Sequence, residues 1–207
     1  MWERCVADLY LASRSPRRAE LLGQIGVGFT LLESDVDEQR LAEEMPLDYV
    51  KRLALDKANA GYAALREEQS AENAIVLGAD TVVYTEQALM GKPTSAVAAA
   101  EYLRTLSGRA HSVATAVSLV FNQNGQRCAK STVSISQVRF KPLSDAEIAA
   151  YCATREPYDK AGAYAVQGYA AMFIESISGS YSGIMGLPLF EIAQLFSELG
   201  IATAIGH

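Results

Sequence analysis

Ten residues, Ile75-Val76-Leu77-Gly78-Ala79-Asp80-Thr81-Val82-Val83-Tyr84, constrain this chain more than any other stretch. Their apolar, β-branched character is that of a buried strand, yet a carboxylate stands in the middle. Asp is depleted in strands, and an ionised carboxylate is costly to bury without a partner. Gly78 and Ala79 leave room for another group to approach the backbone closely. Two readings are open on these residues alone. One is an Asx turn joining two short strands; the other is a strand that carries a functional carboxylate.

Other stretches offer partners for that carboxylate. Leu9-Tyr10-Leu11-Ala12 reads as a short buried strand, followed by Ser13-Arg14-Ser15-Pro16-Arg17-Arg18 and the apolar positions Leu21, Leu22 and Ile25. Ser15 suits an N-cap and Pro16 the first helical turn, with Gly26 as a stop. Arg17 and Arg18 then lie where cations oppose the helix dipole. An anion held between them and the free N–H groups would account for the placement; a pair of solvated arginines is the alternative. A strand over 29–32 leads into Glu33-Ser34-Asp35-Val36-Asp37-Glu38, an acidic loop that is either solvated or offers a carboxylate to a metal. From Pro46 a helix is predicted to about Glu67, with Val50, Leu53, Ala54, Ala58 and Gly61 as its inner stripe. Lys57 falls on that stripe, so it either snorkels or pairs with an inner carboxylate or a phosphate.

Further along, Thr94 or Ser95 can cap a helix through Val97, Tyr102, Leu103 and Leu106, stopped by Gly108. Strands over 113–121 and 127–140 are joined by Asn122-Gln123-Asn124-Gly125, a strong hairpin signal. Ser144-Asp145-Ala146-Glu147 is a capping box. A strand over 171–177 and a last helix to about Leu199 complete the pattern. Alternating strands and helices around a central hairpin imply an α/β protein with a mixed sheet. At 207 residues, half of them hydrophobic, the chain suits one large domain or two small lobes.

Charge and cysteine usage narrow the partners. A net charge of −6 argues against duplex nucleic acid, which wants a basic face, but not against a small anion held by local cations. Cys5, Cys128 and Cys152 show no C-x-x-C spacing, as expected of thiols in a reducing cytosol. No apolar run reaches the roughly 18 residues needed to span a bilayer, and Met1-Trp2-Glu3-Arg4 lacks a signal-peptide core. A cytoplasmic protein without a membrane partner is expected.

The chemistry left open is oxygen chemistry. There is no G-x-S-x-G elbow, Walker loop or zinc spacing. Gly26-Val27-Gly28 lacks the third glycine of a dinucleotide fingerprint and follows a helix. His111, the only internal histidine, reads as a satisfied structural residue. What remains is Glu38 and Asp80 among Arg17, Arg18, Lys57 and Lys92. Carboxylates suit Mg²⁺ or Mn²⁺, and basic side chains suit phosphates. Metal, carboxylate and water together suit hydrolysis of a phosphoanhydride.

Five collinear motifs resemble the Maf family of nucleotide pyrophosphatases. They are Ser13-Arg14-Ser15-Pro16-Arg17-Arg18, Gly78-Ala79-Asp80-Thr81, Gly91-Lys92-Pro93, Asp159-Lys160-Ala161-Gly162-Ala163-Tyr164 with Gln167-Gly168, and Gly179-Ser180-Tyr181 with Gly186-Leu187-Pro188. Together they reach from about Leu9 to about Leu199. The resemblance implies one domain over 1–207, in which a mixed β-sheet flanked by helices forms two lobes with a central cleft, similar to inosine triphosphate pyrophosphatases. It implies hydrolysis of a nucleoside triphosphate to the monophosphate and pyrophosphate with Mg²⁺ or Mn²⁺, and a link to septum formation.

By the same resemblance Asp80 is the carboxylate that activates water, and Glu38 joins it in holding metal. Ser13, Ser15, Arg17 and Arg18 match substrate-binding positions of the first motif. Lys57 and Lys92 match cleft positions for substrate, and Arg17, Thr81 and Gln167 match positions tied to base choice in the dTTP/UTP branch. The branch acting on 7-methyl-GTP carries a different segment at 159–164. The expected role is therefore a dTTP/UTP pyrophosphatase that clears modified pyrimidine nucleotides. A pyrophosphatase with another base preference, such as inosine or xanthosine triphosphate, and a non-catalytic nucleotide-binding regulator of septation are the alternatives. The sequence leaves the physiological nucleotide, the metal and the oligomeric state open, a homodimer included.

Overall fold

The computed structural model describes residues 8–65 and 73–206, so Cys5 and the far end of the predicted 46–67 helix lie outside the described residues. In chain order the elements are β1 (Asp8–Ala12), α1 (Pro16–Gln24), β2 (Thr30–Leu32), α2 (Pro46–Ala63), β3 (Ala74–Tyr84), β4 (Leu89–Met90), α3 (Ala96–Leu106), β5 (Ala110–Gln123), β6 (Gln126–Phe140), α4 (Asp145–Cys152), β7 (Ile174–Ser178), α5 (Tyr181–Met185) and α6 (Leu189–Glu198). Seven strands form one sheet in the order β2-β1-β3-β5-β6-β7, with β4 also on β3. β1 pairs in parallel with β2 and β3, whereas β4 and β7 pair antiparallel with β3 and β6. The mixed-sheet α/β class expected from the sequence is the one observed.

The ambiguity over the Asp80 stretch resolves in favour of a strand. β3 is continuous over 11 residues, and Asp80 lies within it rather than in an Asx turn. Its register is pinned on both sides of the carboxylate, by Ala12↔Gly78 on β1 and by Val83↔Met90 on β4. The hairpin between β5 and β6 turns at Asn124 and Gly125, whose φ values of 54° and 78° give the left-handed pair that such a two-residue turn requires.

Two compact units divide the chain: Met1–Asp80, Ala116–Val133 and Gly186–His207 form the first, Thr81–Thr115 and Ser134–Met185 the second. In the first unit the predicted inner stripe of α2 holds throughout, with Val50, Leu53, Ala54, Ala58 and Gly61 all buried. Two glycines let α2 lie close to the strands. A Cβ on Gly61 would come within 2.7 Å of Ala12 Cβ, and one on Gly78 within 2.4 Å of both Ala54 O and Ala58 N. Leu11, Leu22, Leu77, Leu119 and Phe196 are fully buried in the same unit. Each such side chain contributes about 1.5–3 kcal/mol by leaving water. Ser15 stands at the N-cap of α1 as predicted, but its hydroxyl makes no cap bond. Its N–H instead donates to Ser13 Oγ at 3.2 Å.

The second unit is built around aromatic rings. Phe140, Tyr164, Tyr151 and Phe173 pack edge to face among Val83, Met90, Leu103, Leu106, Val113, Val138 and Ile148. Ser95 caps α3 by accepting from Ala98 N–H, and the capping box at Ser144 and Glu147 opens α4. Val97, placed on the apolar side of α3 by its sequence, is 69% exposed. The predicted 171–177 strand starts late. Tyr169–Phe173 is a 3₁₀ turn and β7 begins at Ile174. Glu156 anchors the start of that turn, its carboxylate accepting from the N–H groups of Tyr169 and Ala170.

Candidate active site

Asp80 acquires its partner from the close approach of α2 to β3. Because Gly78 has no side chain, the helix backbone lies directly against the strand, and Lys57, on the buried stripe, extends along it. Lys57 Nζ donates to Asp80 Oδ1 at 2.7 Å. The same ammonium stands 2.7 Å from Glu38 Oε1. The side chains of Lys57 and Asp80 are 12% and 13% exposed, that of Glu38 50%. Of the two options for Lys57, the structure takes pairing over snorkelling.

The acidic loop is turned onto this pair by contacts from α2. Tyr49 donates from its hydroxyl to Glu38 O at 2.9 Å. Arg52 grips the Glu44 carboxylate through Nε at 2.6 Å and Nη2 at 2.9 Å, and donates to Gln39 O at 3.2 Å. Burial raises the Tyr49 hydroxyl pKa above its ordinary value, and the negative charges of Asp80 and Glu38 push the same way.

The arginines of α1 separate. Arg18 is buried, with Nε donating to Gly186 O at 2.9 Å and Nη1 to Ser13 Oγ at 3.1 Å. Burial lowers its pKa, Asp80 and Glu38 oppose that shift, and Arg17 reinforces it. Ser13 Oγ thus accepts from both Arg18 and the Ser15 N–H, which spends the two lone pairs of a hydroxyl. Arg17 is half-buried. The paired phosphate site expected for both arginines becomes one internally engaged guanidinium beside one that reaches solvent.

In the second unit Thr81 follows Asp80 directly along β3. Its Oγ1 lies 2.9 Å from Thr115 Oγ1 on β5, and Thr115 in turn donates to Gly183 O at 2.7 Å. Gln167 is exposed on the loop after the Ala161–Ala163 turn. That loop is anchored at several points. Gly162 N–H donates to Gly91 O at 3.1 Å, which ties it to the segment carrying the exposed Lys92. Glu156 accepts from Tyr151 Oη and Tyr169 N at 2.8 Å and from Ala170 N at 3.2 Å. Its carboxylate occupies the space where a Cβ on Gly168 would stand.

His111, expected to be a satisfied structural residue, is buried but only half satisfied. Nε2 and Tyr164 Oη are 2.8 Å apart, while Nδ1 has no partner among the described residues. Burial pushes its pKa down to about 4. Thr115 and Glu156 were missed by sequence reasoning. Thr115 looks like an ordinary β-branched strand residue. For Glu156 the signal available was a glycine followed by a helical turn with no capping side chain of its own.

A metal fits one place in the first unit. No group of three His, Cys, Asp or Glu side chains able to cage an ion occurs among the described residues. Glu38 and Asp80, however, bring two hard oxygens onto one cationic atom. Mg²⁺ is commonly held by one or two carboxylates, with substrate phosphates and water completing its shell. The donor set matches that habit.

Glu38, Lys57 and Asp80 thus gather two carboxylates and an ammonium at one point of an α/β frame, groups of the kind that move protons and stabilise charge in enzymes. The family described as Maf-like protein matches residues 8–199, and the chain belongs to that family. It is 54% identical over 203 residues to a protein of Aromatoleum aromaticum named dTTP/UTP pyrophosphatase, covering 94% of this chain and 96% of the relative. Relatives of the same name share 50% identity in Alkalilimnicola ehrlichii, with 93% of each chain covered, and 49% in Shewanella oneidensis, with 94% and 99% covered. No helix among the described residues is long and apolar enough to cross a membrane.

Proposed function

We propose that this protein hydrolyses dTTP and UTP to the nucleoside monophosphate and pyrophosphate, acting in the cytoplasm on free and modified pyrimidine nucleotides. The observation that carries this reading is the Lys57–Asp80 pair, set in a chain about half identical over nearly its whole length to proteins named for that activity. Asp80 is the proton acceptor: water gives a proton to a carboxylate oxygen as its own oxygen attacks the α-phosphorus, and the bond from that phosphorus to the α–β bridging oxygen breaks, so that pyrophosphate leaves with the bridging oxygen. Lys57 holds the carboxylate in one orientation. Glu38 and Asp80 would hold Mg²⁺ or Mn²⁺, which supplies positive charge to the phosphate oxygens when bound.

Arg17, Ser15 and Lys92 bind the triphosphate. Arg18 and Ser13 act one step back, keeping the start of α1 in place. Thr81 and Gln167 read the base, with Arg17 assisting. The amide of Gln167 offers a donor and an acceptor to a pyrimidine edge that alternates carbonyl and N–H. A site that hydrogen-bonds its substrate rejects analogues that leave its polar groups unpaired.

The test is pyrophosphate release across canonical and modified nucleotides with Mg²⁺ or Mn²⁺, together with Asp80→Asn. General-base help is worth about 10²–10⁴-fold, so the variant should lose most turnover while staying folded. Near-normal release by folded Asp80→Asn would remove Asp80 from the mechanism. Purine triphosphates outrunning dTTP and UTP would remove the base assignment.

A further inference from the structure

Two hydroxyls and a carbonyl in the second unit form a chain with only one consistent direction. Thr115 Oγ1 is 2.7 Å from Gly183 O, and a carbonyl can only accept, so the Thr115 proton points to Gly183. Thr115 Oγ1 is also 2.9 Å from Thr81 Oγ1. With the Thr115 proton already spent, the hydrogen between the two hydroxyls belongs to Thr81. Thr81 therefore donates to Thr115, and whatever else its oxygen meets, it meets as an acceptor. Thr115 is 1% exposed and Thr81 half-buried. Water has little access to compete for the inner bond, and leaving Gly183 O unpaired there would carry a desolvation penalty.

We propose that Thr115 is a specificity-determining positioning residue: through the Thr81→Thr115→Gly183 relay it fixes Thr81 as a hydrogen-bond acceptor and so selects pyrimidines that carry a proton on N3. This rests on the reading above in which Thr81 faces the base. Uracil and thymine present N3–H, a donor that matches a committed acceptor. Cytosine presents a bare N3, and two acceptors face to face repel. A lone threonine would serve either ring, since its hydroxyl rotates to suit. The relay removes that freedom without Thr115 touching the substrate.

The experiment compares kcat/KM for dTTP, UTP and CTP in the intact protein and in Thr115→Val, Thr115→Ala, Thr115→Ser and Thr81→Val. Loss of the Thr115 hydroxyl should reduce the preference for dTTP and UTP over CTP about tenfold, the worth of roughly one hydrogen bond, with CTP gaining through KM. Thr115→Ala accompanies the isosteric Thr115→Val so that whichever variant folds gives the reading. Thr115→Ser keeps the relay and should keep the ratio. In a Thr81→Val background Thr115→Val should have no further effect on the ratio, as expected of a residue that acts only through another. A folded Thr115→Val or Thr115→Ala protein with a lower melting temperature and an unchanged ratio would overturn the relay and leave Thr115 structural. If Thr81→Val itself left the ratio unmoved, the base-reading assignment of Thr81 would fail and the relay's role with it. A wild-type protein inactive on dTTP and UTP would instead overturn the functional reading at its root.

Discussion

Lys57 in the first unit and Thr81 in the second are each held by a partner less than 3 Å away, yet the two contacts carry different information. Lys57 sits between two carboxylates at 2.7 Å. An ammonium is a rotatable point charge, so the geometry that matters there is the distance of α2 from β3, set by the missing side chain of Gly78. Thr81 is neutral, and its contact with Thr115 has a polarity fixed by Gly183. A cluster of charges acts without a fixed direction and can stabilise charge that develops in a reaction. A directed hydroxyl discriminates between two rings that differ in one proton. Under the proposed function, the Lys57 contact serves rate and the Thr81 contact serves choice.

That contrast is tested most severely by Lys57→Met. Removing one partner of a desolvated pair leaves two carboxylates facing each other, and we expect turnover of every nucleotide to fall by at least about 10²-fold, with stability lower by about 3 kcal/mol. The ratio of kcat/KM between dTTP and CTP should not move; if it does, rate and choice are not separable between these two contacts.

The next effect is on stability in the second unit. His111, with its pKa pushed down to about 4 by burial, binds no proton when folded but gains one near pH 6.5 when unfolded. Between those values the unfolded state holds more protons, so stability is intact above about 6.5 and declines as pH falls toward 4, by up to about 3 kcal/mol. Thermal melts from pH 4 to 7 should show this slope in the wild type and a flatter one in His111→Phe. Equal slopes would mean that His111 is not neutral in the fold.

Arg18→Ala and Arg17→Ala separate support from contact within one helix turn. Arg18→Ala strands Gly186 O and loses buried packing, so stability should fall by about 2 kcal/mol. Arg17→Ala should leave the melting temperature alone and raise KM for triphosphates. The reverse pattern would exchange their roles. The smallest expected change is that of Gln167→Ala, an exposed side chain whose loss should barely alter the melting temperature. It should erode the preference for dTTP and UTP over CTP a few-fold, about the worth of one exposed hydrogen bond. Unchanged ratios would show that the pyrimidine is read without it.

What could be read in the sequence was local or periodic. The five-residue stripe of α2, the inward Lys57, the capping box at Ser144 and the Asn124-Gly125 turn all follow from spacing within one element. Asp80 announced itself by being the wrong residue for a strand. What escaped depends on partners far along the chain. Thr115 meets Thr81 across 34 residues and Gly183 across 68, and Arg18 reaches Gly186 across 168. Glu156 escaped for another reason: it anchors the turn before β7 through bonds to the N–H groups of Tyr169 and Ala170 that no propensity encodes. The Arg17–Arg18 pair looked like one site because helix-dipole reasoning treats neighbours alike, whereas one of them points into the fold.

Asp80 and Thr81 are consecutive on a strand whose register is locked at Gly78 on one side and Val83 on the other. Successive strand residues face opposite ways, so adding or deleting one residue between those locks would send each side chain to the other's face. The gene segment for this strand should therefore tolerate many base substitutions yet no in-frame insertion or deletion. A codon-by-codon library scanned across residues 78–83 should show that asymmetry, with single-codon indels lethal to activity even at positions such as Val82 where substitutions are tolerated.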